Sequence, residues 1–157
     1  MPLFGPRPEP DRVAGGVHAP PVLPRILFLD DDPRRAEVFL AENPQTVWVQ
    51  TAAECVARLE EPWDEVHLDH DLGGEHYVDP DREDCGMEVV RWLCREPRPA
   101  LAATRFTVHS HNDNAAILMA VTLTFCGYAV TQRPFGEPPP PEPSKAPPLP
   151  PSRRSPP

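Results

Sequence analysis

ILFLDDDPRR, residues 26–35, runs from an apolar stretch straight into three carboxylates and two arginines. A short, wholly apolar run of this kind suits a strand buried on both faces of a parallel sheet. The pattern recurs twice. EVHLDHDLGG at 65–74 also stops on acids, and TRFTVHSHNDN at 104–114 stops on histidines, a serine and an asparagine. In an open α/β sheet, groups just past the carboxyl ends of parallel strands share one crevice. Three strand ends loaded with polar groups therefore predict one site, suited to a metal and a phosphate.

The segments between these runs read as helices. Pro33 suits a first helical turn with Asp32 as its N-cap, and that helix should bury Ala36, Val38 or Phe39, and Leu40, ending near Asn43-Pro44. TVWVQ at 46–50 alternates and is β-branched, which predicts a second strand. Thr51 and Glu54 have capping-box spacing before a helix to Leu59. After the strand at 65–68 comes an acidic loop from His70 to Cys85, then a helix over 86–95 with Met87, Val90, Leu93 and Cys94 on one face. A fourth strand is expected at 104–110. Asn112 or Asp113 should cap a helix over 115–125 with Gly127 as C′, followed by a fifth strand at 128–132. Alternating strands and helices imply a doubly wound parallel α/β sheet with right-handed crossovers. No helix is expected after the fifth strand, where prolines begin at once.

Both ends lack core material. Residues 1–24 carry seven prolines, and residues 137–157 carry eleven. Such stretches favour extended conformations and bury little, so both are expected to be disordered, with one domain at 25–136. Pro148, Pro151 and Arg153 form a PxxPxR arrangement, which in so proline-biased a tail is read as part of the extension. Its partner, if any, is unspecified.

The 25–136 segment holds twenty acids against ten arginines, a formal charge of −10, and no lysine. That field argues against duplex DNA as a partner. The four cysteines lack CxxC spacing, so neither a zinc knuckle nor a disulfide framework is expected. The first residues lack an apolar signal region and no run reaches transmembrane length, which makes a cytoplasmic protein without membrane contact the expectation.

With DDxxR, LDHDLG and HSHN in this order, the chain resembles receiver domains of two-component signalling, and within them the divergent cyclic-phosphate processing receiver-like domains. The resemblance covers nearly all of 25–136. It implies a five-stranded receiver-like (flavodoxin-like) sheet of order 2-1-3-4-5. Asp30 and Asp31 match the acidic pair, Asp69 the phosphoacceptor, Ser110 the hydroxyl, and Arg133-Pro134-Phe135 the Lys-Pro-Phe position. The chain departs from the receiver pattern in having arginine for that lysine, two histidines flanking Ser110, His70-Asp71 after Asp69, a longer loop and no fifth helix.

Asp30, Asp31, Asp69 and Asp71 are the candidate metal ligands, and hard oxygens suit Mg²⁺ or Mn²⁺. Ser110, Asn112, Arg133 and Arg34 are the candidate phosphate contacts; Asn112 could instead be a helix cap, and Arg34 a surface residue. His70, His109, His111 and Asp69 are the candidate catalytic residues, since imidazoles can divide base and acid roles near neutral pH. On a single strand, His109 and His111 would share a face. His18, His67 and His76 fall outside the constellation. The resemblance implies metal-dependent hydrolysis or ring opening of a cyclic phosphate, including one at an RNA end. The alternative is a degenerate receiver that accepts phosphate on Asp69 or senses a phosphate or nucleotide.

Overall fold

The computed structural model describes residues 22–137. The expectations for 1–21 and 138–157, including the PxxPxR arrangement, lie outside the described residues. Five parallel strands form one sheet: β1 (Ile26–Leu29), β2 (Val47–Val49), β3 (Glu65–Leu68), β4 (Arg105–Val108) and β5 (Ala129–Gln132), in the order β2-β1-β3-β4-β5. Four α-helices connect them: α1 (Pro33–Glu42), α2 (Ala52–Arg58), α3 (Gly86–Arg95) and α4 (Asp113–Phe125). A single 3-10 turn at Pro99–Leu101, unforeseen from the sequence, precedes β4. Among the described residues no helix follows β5.

Local chemistry sets the helix starts. The Asp32 side chain accepts from the backbone N–H of Arg34 and Arg35, with Pro33 in the first turn. Thr51 and Glu54 complete a reciprocal capping box. The Asn112 side chain accepts from Ala115 N, so Asn112 rather than Asp113 is the cap of α4. Gly127 follows α4 at φ +91°, the left-handed conformation that glycine adopts without a Cβ penalty.

Strand alternation sorts the core. Leu27, Leu29, Val66, Leu68, Phe106 and Val108 pack with residues of α2, α3 and α4 in one apolar cluster. Phe28 and His67 meet Phe39 of α1 on the opposite face, where the Phe28 and Phe39 rings stack 4.3 Å apart and His67 meets Phe39 edge-on at 4.8 Å. Among the described residues, three helices thus cover one face and α1 alone the other. In α1, Ala36 is buried and Phe39 and Leu40 half-buried, while Val38 is exposed.

One expectation is corrected here. Cys94 and Cys126, thirty-two residues apart, are joined in a disulfide with Cα atoms 5.7 Å apart. Cys94 sits in the last turn of α3 and Cys126 is the C-cap of α4. The lateral packing of these two helices makes the pair, and no sequence spacing records it. Cys55 and Cys85 are free and buried.

Candidate functional site

Sheet register builds the site. Leu29 pairs with Leu68, and Leu68 with Val108. The ladder runs one rung further: Asp69 N donates to Leu29 O (3.0 Å) and His109 N to Leu68 O (3.0 Å). Asp30, Asp69 and His109 therefore stand abreast, each one residue past its strand, and alternation turns them toward α1. All three are buried. One ligand atom from each lies within 4.8 Å of the others, so this group could hold a metal ion. Two carboxylates and an imidazole are a donor set that fits a divalent metal ion.

Arg35, on the first turn of α1, reaches into the same group. Its Nε donates to Asp30 Oδ2 (2.8 Å), and its Nη2 donates to Asp30 Oδ1 (2.8 Å) and Asp69 Oδ2 (2.7 Å). His109 Nε2 lies 3.1 Å from Asp30 Oδ2. Burial alone would raise the Asp30 pKa, but the hydrogen bonds from His109 and Arg35 outweigh it and hold the carboxyl below its ordinary value. Asp69 goes the other way. Burial, with the Asp30 charge adding to it, raises the Asp69 pKa against the opposing pull of His109 and Arg35. Two neighbouring carboxyls are thus driven in opposite directions, as in sites that separate acid from base roles.

Above this floor opens a crevice of about 290 Å³, lined among others by Asp31, Arg35, Asp69, Ser110, His76 and His111. Ser110 is buried and His111 exposed. Asp31 accepts from Gly74 N and is 3.9 Å from Arg35, which ties the loop after β3 to the end of β1.

Several sequence candidates stand elsewhere. Arg34 is exposed on α1, and Arg35, one residue on, occupies the crevice. One residue is a 100° turn of a helix, and with three aspartates in a row the DDxxR motif can be read in either register. Asp71 lines the crevice but does not join the metal group. Its carboxylate accepts from His70 Nδ1 (2.7 Å), Asn112 Nδ2 (3.1 Å), Tyr77 N (2.7 Å) and Val78 N (3.1 Å). These bonds hold its pKa low against burial. Asp71→Ala should therefore free the 73–84 loop, and faster amide exchange confined to that loop would be the measured result.

His70 is fully buried and turned away from the crevice. It bonds Asp71 and meets Cys85 at the start of α3. Burial lowers its pKa, but the nearby Cys85 sulfur and the bond to Asp71 outweigh that and raise it. Asn112 is both the α4 cap and a donor to Asp71. His109 and His111 do not share a strand face, because β4 ends at Val108. The His109 ring lies under the floor, stacked on Phe28 at 4.9 Å and 4°. Arg133 lines a separate groove of about 490 Å³ with Phe39, His67, Thr107 and Phe135, on the α1 face of the sheet. His109 is a wall of that groove too. Sequence reasoning missed His76 and Arg35. His76 comes from an aperiodic loop that carries no placement signal.

Residues 25–125 match the family model described as the cyclic-phosphate processing receiver domain. Among solved structures, the response regulator domain of Thermotoga maritima CheB is similar at 17% identity and a TM-score of 0.43, covering 71% of this chain and 79% of that one. RcsB from Salmonella enterica serovar Typhimurium, bound to promoter rprA in the presence of phosphomimetic BeF3−, is similar at 18% identity and a TM-score of 0.44, covering 74% of this chain and 63% of that one. No curated protein matches the chain. Among the described residues no helix is long and apolar enough to cross a membrane.

Proposed function

Because the chain belongs to the cyclic-phosphate processing receiver domain family, we propose that it opens a cyclic phosphodiester, with an RNA end bearing a 2′,3′-cyclic phosphate as the substrate. One observation carries this reading. Arg35, Ser110, His76 and His111 line a single crevice over Asp69. Arginine and hydroxyl donors suit phosphate oxygens, and a pair of imidazoles suits proton transfer.

Ring opening joins a water oxygen to phosphorus and breaks one P–O ester bond. One proton leaves the water and one arrives at the departing alkoxide. His111 and His76, both exposed at the crevice, divide those two transfers. Arg35 and Ser110 hold the non-bridging oxygens. Asp30, Asp69 and His109 would hold a divalent ion, which would offset the phosphate charge. Asp71, itself in the wall of the crevice, and Asn112 behind it fix the loop that carries His76.

The test is end-group analysis of a short RNA ending in a 2′,3′-cyclic phosphate, incubated with protein and Mn²⁺ or Mg²⁺. Ring opening is expected to depend on the ion, to vanish in Asp69→Asn, and to fall by about 10²–10⁴ in His111→Ala. The monoester formed identifies the bond broken. One observation favours a second reading, a degenerate receiver that senses phosphate or nucleotide: protein donors meet both oxygens of Asp30. RNA binding without turnover would replace the enzyme by that sensor.

A further inference from the structure

We propose that Arg35 is a displaceable stand-in for the divalent ion. It occupies the ion's place between Asp30 and Asp69, and entry of the ion transfers its guanidinium to the phosphate. The inference rests on the reading of the crevice given above and assigns Arg35 a second, conditional role.

The acceptor positions of Asp30 show why. Oδ1 takes Asp32 N (2.8 Å) and Arg35 Nη2 (2.8 Å). Oδ2 takes Arg35 Nε (2.8 Å) and has His109 Nε2 at 3.1 Å. A carboxylate offers about four acceptor sites, so an ion can reach Asp30 only if a donor withdraws. Asp32 N is backbone, fixed at the helix cap. His109 is buried and stacked on Phe28. Arg35 remains: its side chain is 24% exposed and already lines the crevice. It also holds Asp69 Oδ2 at 2.7 Å, so its withdrawal clears both carboxylates at once.

Repulsion between the guanidinium and an incoming dication drives that withdrawal. The released fork faces the crevice shared with Ser110 and His111, where its parallel N–H groups match two phosphate oxygens. Ion and phosphate are then coupled: each binds better in the presence of the other. Without an ion, the same arginine offsets the repulsion between the two buried acids.

The experiment titrates Mn²⁺ into the full chain and counts free ion by its paramagnetic resonance, comparing wild type, Arg35→Gln and Arg35→Lys. Arg35→Gln is expected to bind Mn²⁺ about tenfold tighter or more, since it no longer competes for the oxygens. Inorganic phosphate should tighten Mn²⁺ binding in wild type and leave Arg35→Gln unchanged. Should Arg35→Gln fail to fold, Arg35→Lys carries the test, with Mn²⁺ affinity above wild type, because an ammonium cannot span both carboxylates as the fork does. Equal or weaker Mn²⁺ binding in the folded variants overturns the proposal, as does absence of Mn²⁺ binding in all three. None of these readouts needs turnover. Tighter Mn²⁺ binding without RNA ring opening keeps the role of Arg35 and discards the enzyme reading; ring opening without that tightening does the reverse.

Discussion

Gly86→Ala should cost more than about 3 kcal/mol of stability and abolish a cooperative transition at room temperature or lower its midpoint sharply. A Cβ at position 86 would lie 2.0 Å from the carbonyl oxygen of Asp69, and 2.9 Å from both the Asp69 carbonyl carbon and His70 Cα. All three are backbone atoms of the segment that delivers the floor of the crevice, so none can yield cheaply. Gly86 N also donates to His70 O (2.9 Å), which fixes the start of α3 against that segment. Gly73→Ala is the control. Its Cβ meets nothing within 4 Å, and its φ of +77° limits the cost to about 1 kcal/mol. Urea denaturation of both variants decides the matter: equal, wild-type-like midpoints would remove the close approach from the account. A folded remnant of Gly86→Ala should also bind Mn²⁺ poorly, since Asp69 must move with its carbonyl.

The second large effect concerns pH. Burial, and next the neighbouring His109, push the pKa of His67 down to about 4 from an ordinary value of 6.5. Arg133 adds to this, while Glu65, 3.5 Å away, opposes it. The unfolded chain therefore binds a proton at this residue between pH 6.5 and 4 while the folded chain does not. Stability is complete above 6.5 and falls as the pH drops toward 4. Across the window the loss from this residue is about 3 kcal/mol. Urea midpoints in EDTA at pH 7 and pH 4.5 should differ accordingly. In His67→Phe, which keeps an aromatic ring beside Phe39, most of the difference should vanish. An undiminished slope in the variant would assign acid sensitivity to other groups. Asp30 acts in the same direction at lower pH, since its depressed pKa means stability lost as the carboxyl protonates.

Much of the fold was legible because its signals are local. The Asp32 cap, the Thr51–Glu54 box and the glycine after α4 each decide a boundary from a few neighbouring residues. Strand order came through resemblance rather than from the residues, and sheet register then made Asp30, Asp69 and His109 neighbours. What failed to be legible depended on rotation or on distant contacts. Arg34 and Arg35 differ by one helical step. Asp71 reads as a free acid until the amides of Tyr77 and Val78 and the side chain of Asn112 close around it. The Cys94–Cys126 bond depends on two helices lying side by side. His67 looked incidental because its partners, Phe39 and His109, come from α1 and the end of β4.

His109 has one ring and two neighbourhoods. On the α1 face of the sheet, Phe28 fixes the plane of that ring and Asp30 uses its edge. The aim of a polar group is thus decided by apolar residues that never meet the crevice. Phe28→Leu would leave the acids, the arginine and the hydroxyl in place, yet let the imidazole tilt. Damage of this kind would look like a chemical defect while having a mechanical origin, and a survey confined to the polar residues would never find its source.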